Sequence, residues 1–100
     1  MIPVFLTDSF RDDLEEIWNF LGRDNPEVAD RVTLELIDRA LEISSAPKAA
    51  AVVPQFAHLQ VRRVMVRRWV ILYRADDERV IVLRVIHGGR HLESLSLAAE

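Results

Sequence analysis

Apolar residues recur along this chain with two periods, and the change of period divides it. Ile2–Leu6 is a short apolar run interrupted by Pro3, the pattern of an edge strand. Thr7 then reads as a helix N-cap, with Asp8 in the first turn where its charge suits the helix dipole. Phe10, Leu14, Ile17, Trp18 and Leu21 follow at helical spacing, leaving Asp12, Asp13, Glu15 and Glu16 for the wet side. Gly22 is expected to end this helix in a left-handed conformation. Asn25 and Pro26 cap and open a second helix, which continues to about Ser44 before Pro47. Val28, Ala29, Val32, Leu36, Ala40 and Ile43 form one apolar stripe, and Leu34, Ile37 and Leu41 form another. A helix apolar over so wide an arc should touch more than one neighbour. The short link between the two makes an antiparallel helical hairpin.

The remaining pattern is that of strands. Ala46–His58 has no clean period and reads as a loosely packed connection. Leu59–Val66 alternates with a slip at Arg62–Arg63, where a bulge would restore the phase. Trp69–Ala75 and Arg79–Ile86 are rich in β-branched and aromatic residues and flank the polar turn Asp76–Glu78. A turn centred on Asp77–Glu78 pairs Tyr73 with Val82, Ile71 with Arg84 and Trp69 with Ile86. One face then carries Val70, Leu72, Arg74, Ile81, Leu83, Val85 and His87, and is expected under the helices. The other carries Trp69, Ile71, Tyr73, Val80, Val82, Arg84 and Ile86, an open binding surface if this register holds. The expected fold class is α+β: an N-terminal helical hairpin packed on a small antiparallel β-sheet. Residues 1–92 form a single domain, and residues 93–100 a C-terminal tail.

Charge adds a polarity that the pattern hides. The 100 residues carry 13 basic and 16 acidic groups, a formal net charge of −3. The first half holds five basic and eleven acidic groups, and the second half eight arginines and five acids. Arg62, Arg63, Arg67, Arg68 and Arg74 fall in a stretch without one acid. Such asymmetry marks a nucleic acid or an acidic protein partner, or else an edge strand kept soluble by charge. With no cysteine, disulfide scaffolds, thiolate metal sites and cysteine nucleophiles are excluded. No run approaches the roughly 18–20 apolar residues of a membrane span, and Met1–Leu6 is not expected to be a signal peptide. His58, His87 and His91 lack metal-ligand spacing, so neither a metal nor a cofactor is expected. His87, Arg90 and His91, with Arg84 upstream, could take a proton from a ribose hydroxyl and hold a phosphate. Alternatively, they are a strand-end histidine and solvated or paired arginines.

Four segments, in order, carry a resemblance. Thr7-Asp8-Ser9-Phe10-Arg11-Asp12-Asp13-Leu14-Glu15-Glu16-Ile17-Trp18, Asp24-Asn25-Pro26-Glu27-Val28-Ala29, Arg62 through Trp69-Val70-Ile71-Leu72-Tyr73-Arg74, and Val82-Leu83-Arg84-Val85-Ile86-His87-Gly88-Gly89-Arg90 are together similar to the RelE/ParE toxin superfamily. The closer likeness is to the ParE branch of type II toxin–antitoxin modules. Trp69 stands where Tyr is common and His91 where Asp is common. The resemblance implies a cytoplasmic, growth-inhibiting toxin of a plasmid- or chromosome-stabilising module. Its expected partners are a cognate antitoxin and, as target, DNA gyrase; a homodimer is also compatible with helix two. Antitoxin or target contacts are expected at Arg62, Arg63, Arg67, Arg68, Trp69, Tyr73, Arg84 and Arg90. No catalytic residue is implied on the ParE reading, because nothing aromatic follows Arg74 where RelE-type nucleases carry a C-terminal tyrosine. The alternative is a ribosome-dependent mRNA endonuclease using His87, Arg84, Arg62 and Arg90. A non-toxic relic that only binds antitoxin is the third reading.

Overall fold

A computed structural model describes residues 1–89; Arg90, His91 and the expected tail at 93–100 lie outside the described residues. Strand β1 (Val4–Leu6) leads into helix α1 (Asp8–Gly22), which turns back through α2 (Pro26–Glu42). Two 3-10 segments, Ile43–Ser45 and Pro54–Leu59, bracket the connection to β2 (Arg62–Val66), β3 (Trp69–Ala75) and β4 (Val80–His87). The strand order is β1-β4-β3-β2. β2, β3 and β4 form an antiparallel meander, and β1 joins β4 in parallel, so the α+β sheet is mixed. The helical hairpin carries the chain from β1 to β2 at the far edge of the sheet, and the meander then brings β4 back beside β1 in the parallel sense.

Both helix starts follow the sequence. Asn25 accepts hydrogen bonds from Glu27 N and Val28 N, with Pro26 at the first helical position. Thr7 does more than cap α1. Its Oγ1 accepts from Phe10 N at 3.2 Å and donates to Val82 O at 2.8 Å, so one hydroxyl fixes the helix start to β4. The end of α1 differs from expectation, because Gly22 does not have a positive φ. A Cβ there would lie 2.9 Å from the Trp18 ring. Gly22 therefore gives the indole room, and Trp18 Nε1 donates to Asp30 across the hairpin at 2.8 Å.

The sheet is covered on both faces, and the helices take the opposite face from the one expected. Phe10, Ile17, Leu36, Ala40 and Ile43 of the helical side pack on Val64, Val66, Ile71, Tyr73, Val80, Val82 and Val85. The second face, with Val70, Leu72, Leu83 and Ile86, lies under Val53, Phe56, Leu59 and Val61. The connection read as loose is thus the lid of a second small core. Leu59 belongs to its 3-10 segment and Val61 to its cluster, so the alternation slip at Arg62–Arg63 needs no bulge. The slip in register lies elsewhere. Tyr73 pairs with Val82 as expected, but Leu72 pairs with Arg84 and Trp69 with His87. One extra residue in β4 shifts every later position, which is why Val82 and Val85 share a face.

On α2 the first apolar stripe is covered. The second is not: Leu34 is 59% and Leu41 46% exposed. Among the described residues, no helix is long and apolar enough to cross a membrane. Replacing Thr7 by Val should lower stability by about 1–2 kcal/mol, since both the cap and the tie to Val82 are lost. Thr7→Ser should retain most of it in urea unfolding. Equal stability of the valine variant and the native chain would contradict this role.

Candidate functional site

The arginines expected on an open surface divide into those the protein itself engages and those it presents. Arg84 is engaged. It emerges from β4 beside the register slip and meets Asp13 of α1 in a forked pair, Nε to Oδ2 at 2.6 Å and Nη2 to Oδ1 at 2.8 Å. Asp13 Oδ2 also accepts from Val85 N at 3.0 Å. The Asp13 side chain is only 8% exposed, against the sequence expectation of a wet position. The Asp13 hydrogen bond, helped by the nearby charges of Asp13 and Glu16, holds the Arg84 guanidinium above its ordinary pKa despite the opposing effect of burial.

Arg62 is engaged as well. Its Nη1 donates to Ala50 O at 2.6 Å and Lys48 O at 3.2 Å, pinning the connection before the second 3-10 segment. Tyr73 pairs with Arg62 in the ladder, is 1% exposed, and donates its hydroxyl to Pro47 O at 2.8 Å. Burial pushes its phenol above the ordinary value, outweighing the opposing charge of Arg62. Tyr73 and Arg84 therefore do not form an open aromatic and basic surface. Trp69 is half-buried and meets the His87 ring edge-to-face, with centroids 5.6 Å apart.

His87 is exposed at the far end of β4, where its Nδ1 accepts from Gly89 N at 3.2 Å. It pairs with Trp69, whereas Arg62 pairs with Tyr73. Four residues of β3 separate those positions, roughly 13 Å along the strand at about 3.3 Å per residue. The fold does not bring Arg62 to His87, and Arg90 lies outside the described residues.

Arg63, Arg67 and Arg68 are all exposed around the β2–β3 hairpin, and of these Arg67 is also paired with an acid at the surface. Arg67 takes a φ of 56° in the two-residue turn, a conformation that usually falls to Gly or Asn. Its guanidinium is drawn onto Glu35 of α2, with Nε to Oε1 at 2.9 Å and Nη2 to Oε2 at 3.2 Å. That hydrogen bond, with the nearby charges of Arg67 and Arg31, lowers the Glu35 pKa. Gly88 closes the same end: its N donates to Arg68 O at 2.8 Å, and a Cβ would crowd that oxygen at 3.2 Å.

Between α2 and β2 runs a groove of about 750 Å³ lined by Arg31, Leu34, Glu35, Arg39, Met65 and Arg67, among others. Leu34 and Met65 are more than half exposed there. The sheet edge beside it is half closed. Arg63 N donates to Ala51 O and Val53 N donates to Val61 O, so residues 51–53 pair with the outer side of 61–63. Alternation turns the Met65 N–H and C=O outward next, and they meet no partner among the described residues. Sequence reasoning placed the arginines but missed this groove. The signal was the second apolar stripe of α2, expected against a further neighbour or a second copy of the chain. It also missed Asp13, although a carboxylate between Phe10 and Ile17 on the apolar stripe was visible.

These features describe a small α+β protein with a charged, partly apolar rim. The family profile described as the ParE toxin of the type II toxin–antitoxin system, parDE, matches residues 4–92. The chain belongs to the ParE toxin family. Among solved structures it is similar to a chain titled "Chromosomal ParDE TA system from P. aeruginosa", with a TM-score of 0.70 and 17% identity. That match covers 87% of this chain and 96% of the other, and it supports the fold. No curated protein matches the chain in sequence.

Two measurements check the geometry. Asp13→Ala should cost about 3–5 kcal/mol in chemical unfolding, because it leaves Arg84 poorly solvated and unpaired. Asp13→Ala/Arg84→Met should recover part of that loss; a double variant as unstable as the sum of the singles would contradict the pairing. Tyr73 is the sole tyrosine, so absorbance at 295 nm reports it alone. Its ionisation midpoint should lie above 10.0 in the folded protein. Because the folded value is raised, its stabilisation is complete below the unfolded value and is lost as pH rises through the folded one. A midpoint at or below 10.0 would contradict its burial.

Proposed function

We propose that this ParE-family toxin acts in the cytoplasm by binding and inhibiting DNA gyrase, and that a cognate antitoxin holds it inactive. Family membership supports the toxin–antitoxin reading, and the likeness to ParE sequences supports gyrase as target. One observation carries the non-catalytic mode: Arg62 and Arg84 are held by the protein's own carbonyls and carboxylate, and the strand register keeps Arg62 apart from His87. A nuclease would need such cations converging on a phosphate beside the base. The mRNA-cleaving alternative is correspondingly less well supported.

The antitoxin is assigned to the groove between α2 and β2. An extended segment there could pair with the outward Met65 backbone, place apolar side chains on Leu34 and Met65, and set acidic ones against Arg63, Arg67 and Arg68. Purified toxin should abolish negative supercoiling by gyrase, and His87→Ala should keep that activity. Unchanged supercoiling at concentrations that arrest growth, together with cuts within codons in mRNA from induced cells, would overturn the gyrase reading. Arg67→Glu/Arg68→Glu should weaken antitoxin binding at least tenfold by calorimetry; unchanged affinity would displace the antitoxin from this rim.

A further inference from the structure

A second hollow lies away from the rim, at the opposite end of the sheet and on its second face. Its volume is about 380 Å³, and His58, Gln60, Arg74, Asp76, Arg79 and Ile81 contribute to its lining. Three elements build it. His58 closes the 3-10 segment, Arg74 projects near the end of β3 beside its ladder partner Ile81, and Arg79 leads into β4. The fold also keeps nearby carboxylates occupied elsewhere. Asp76 Oδ1 accepts from Glu78 N at 2.8 Å and Arg79 N at 2.9 Å, closing the hairpin loop. Those bonds, with the charges of Arg79 and Lys48, lower the Asp76 pKa and keep it a carboxylate. Asp77 is taken by Lys48 at 3.0 Å.

Arg74 and Arg79 are left in a different state from Arg62, Arg67 and Arg84. Neither guanidinium meets a carboxylate or carbonyl acceptor among the described residues. Arg79 instead rests over the Phe5 ring at 6.0 Å, which limits where its charge can go. Arg74 is half-buried. Two planar five-donor groups, sharing a lining with an imidazole, suit a tetrahedral oxyanion better than a point cation would. Asp76 is the one acid in the lining; with two arginines present, the hollow is positive even with His58 neutral.

We propose that the hollow formed by His58, Arg74 and Arg79 is a binding site for a phosphate group, separate from the antitoxin groove. The site does not depend on the gyrase reading, because none of these three residues belongs to the rim. Its ligand is a phosphate, either free or carried as a monoester.

The test is an NMR titration of the full chain at physiological salt, following the His58 ring and the arginine side-chain Nε–H signals. The probes are inorganic phosphate, adenosine 5′-monophosphate and acetate. Saturable shifts at His58, Arg74 and Arg79 are expected with millimolar or tighter affinity for phosphate. Arg74→Gln/Arg79→Gln, at one half-buried and one exposed position, should weaken it at least tenfold while the other amide signals stay in place. Tighter binding of the nucleotide than of phosphate would support the site and assign it a carried monoester; equal binding would support it as a site for the free ion. Acetate binding as tightly as phosphate would overturn the phosphate assignment. Non-saturating shifts, or shifts unchanged in the double variant, would overturn the site itself.

Discussion

A carboxylate on the apolar stripe of a helix must be neutralised where it lies, and in this chain Arg84 does so. The Asp13–Arg84 fork and the Val85 N–H join α1 to β4 just beyond the slip in the strand ladder. An extra residue there turns Leu83 to one core and Val85 to the other. The ion pair also removes from the surface the arginine that would otherwise be the strongest candidate for contact with phosphate. A buried fork of this kind contributes modest net stability, but losing one partner is severe. The pair therefore fixes the geometry of helix against sheet more than it adds to the free energy of folding.

Two covered faces follow from that arrangement, with a consequence for function. The helical hairpin occupies one side of the sheet and residues 53–61 the other. Tyr73 and Arg62 hold the connecting segment in place from beneath, through Pro47, Lys48 and Ala50 carbonyls. The rim stays uncovered: the open half of β2, the second stripe of α2 and the hairpin arginines, the surface proposed for partner contact. The bidentate Arg67–Glu35 pair is solvent-exposed and screened by salt, so it can rearrange to accept a competing acidic group.

Helix starts, the helical hairpin, the β3–β4 turn and the fold class were legible because each depends on local chemistry. The Thr7 cap, the Asn25–Pro26 helix start and the Asp77–Glu78 turn each act within a few residues, whereas the tie from Thr7 to Val82 does not. The sheet faces were not legible, because parity counting carries an error through every residue beyond a bulge. Tyr73 with Val82 was right, whereas the pairing of Trp69 was one residue off. Nor could periodicity show that Val53 and Val61 roof a second core, since Ala46–His58 has no period and Val61 falls in the run expected as a strand. The rim was half legible. The arginine run gave its charge, but which arginines the protein holds for itself depends on contacts as distant as Asp13 to Arg84.

The central claim is that partners engage the rim of the sheet while its covered faces stay closed. Hydrogen exchange of the toxin, alone and saturated with its antitoxin, tests this most directly. The expected result is new protection at the Met65 amide, with α2 residues 31–42 slowed alongside it and amides of residues 54–60 unchanged. Protection confined to residues 54–60, or new exposure of Val70 and Leu72 on binding, would contradict it.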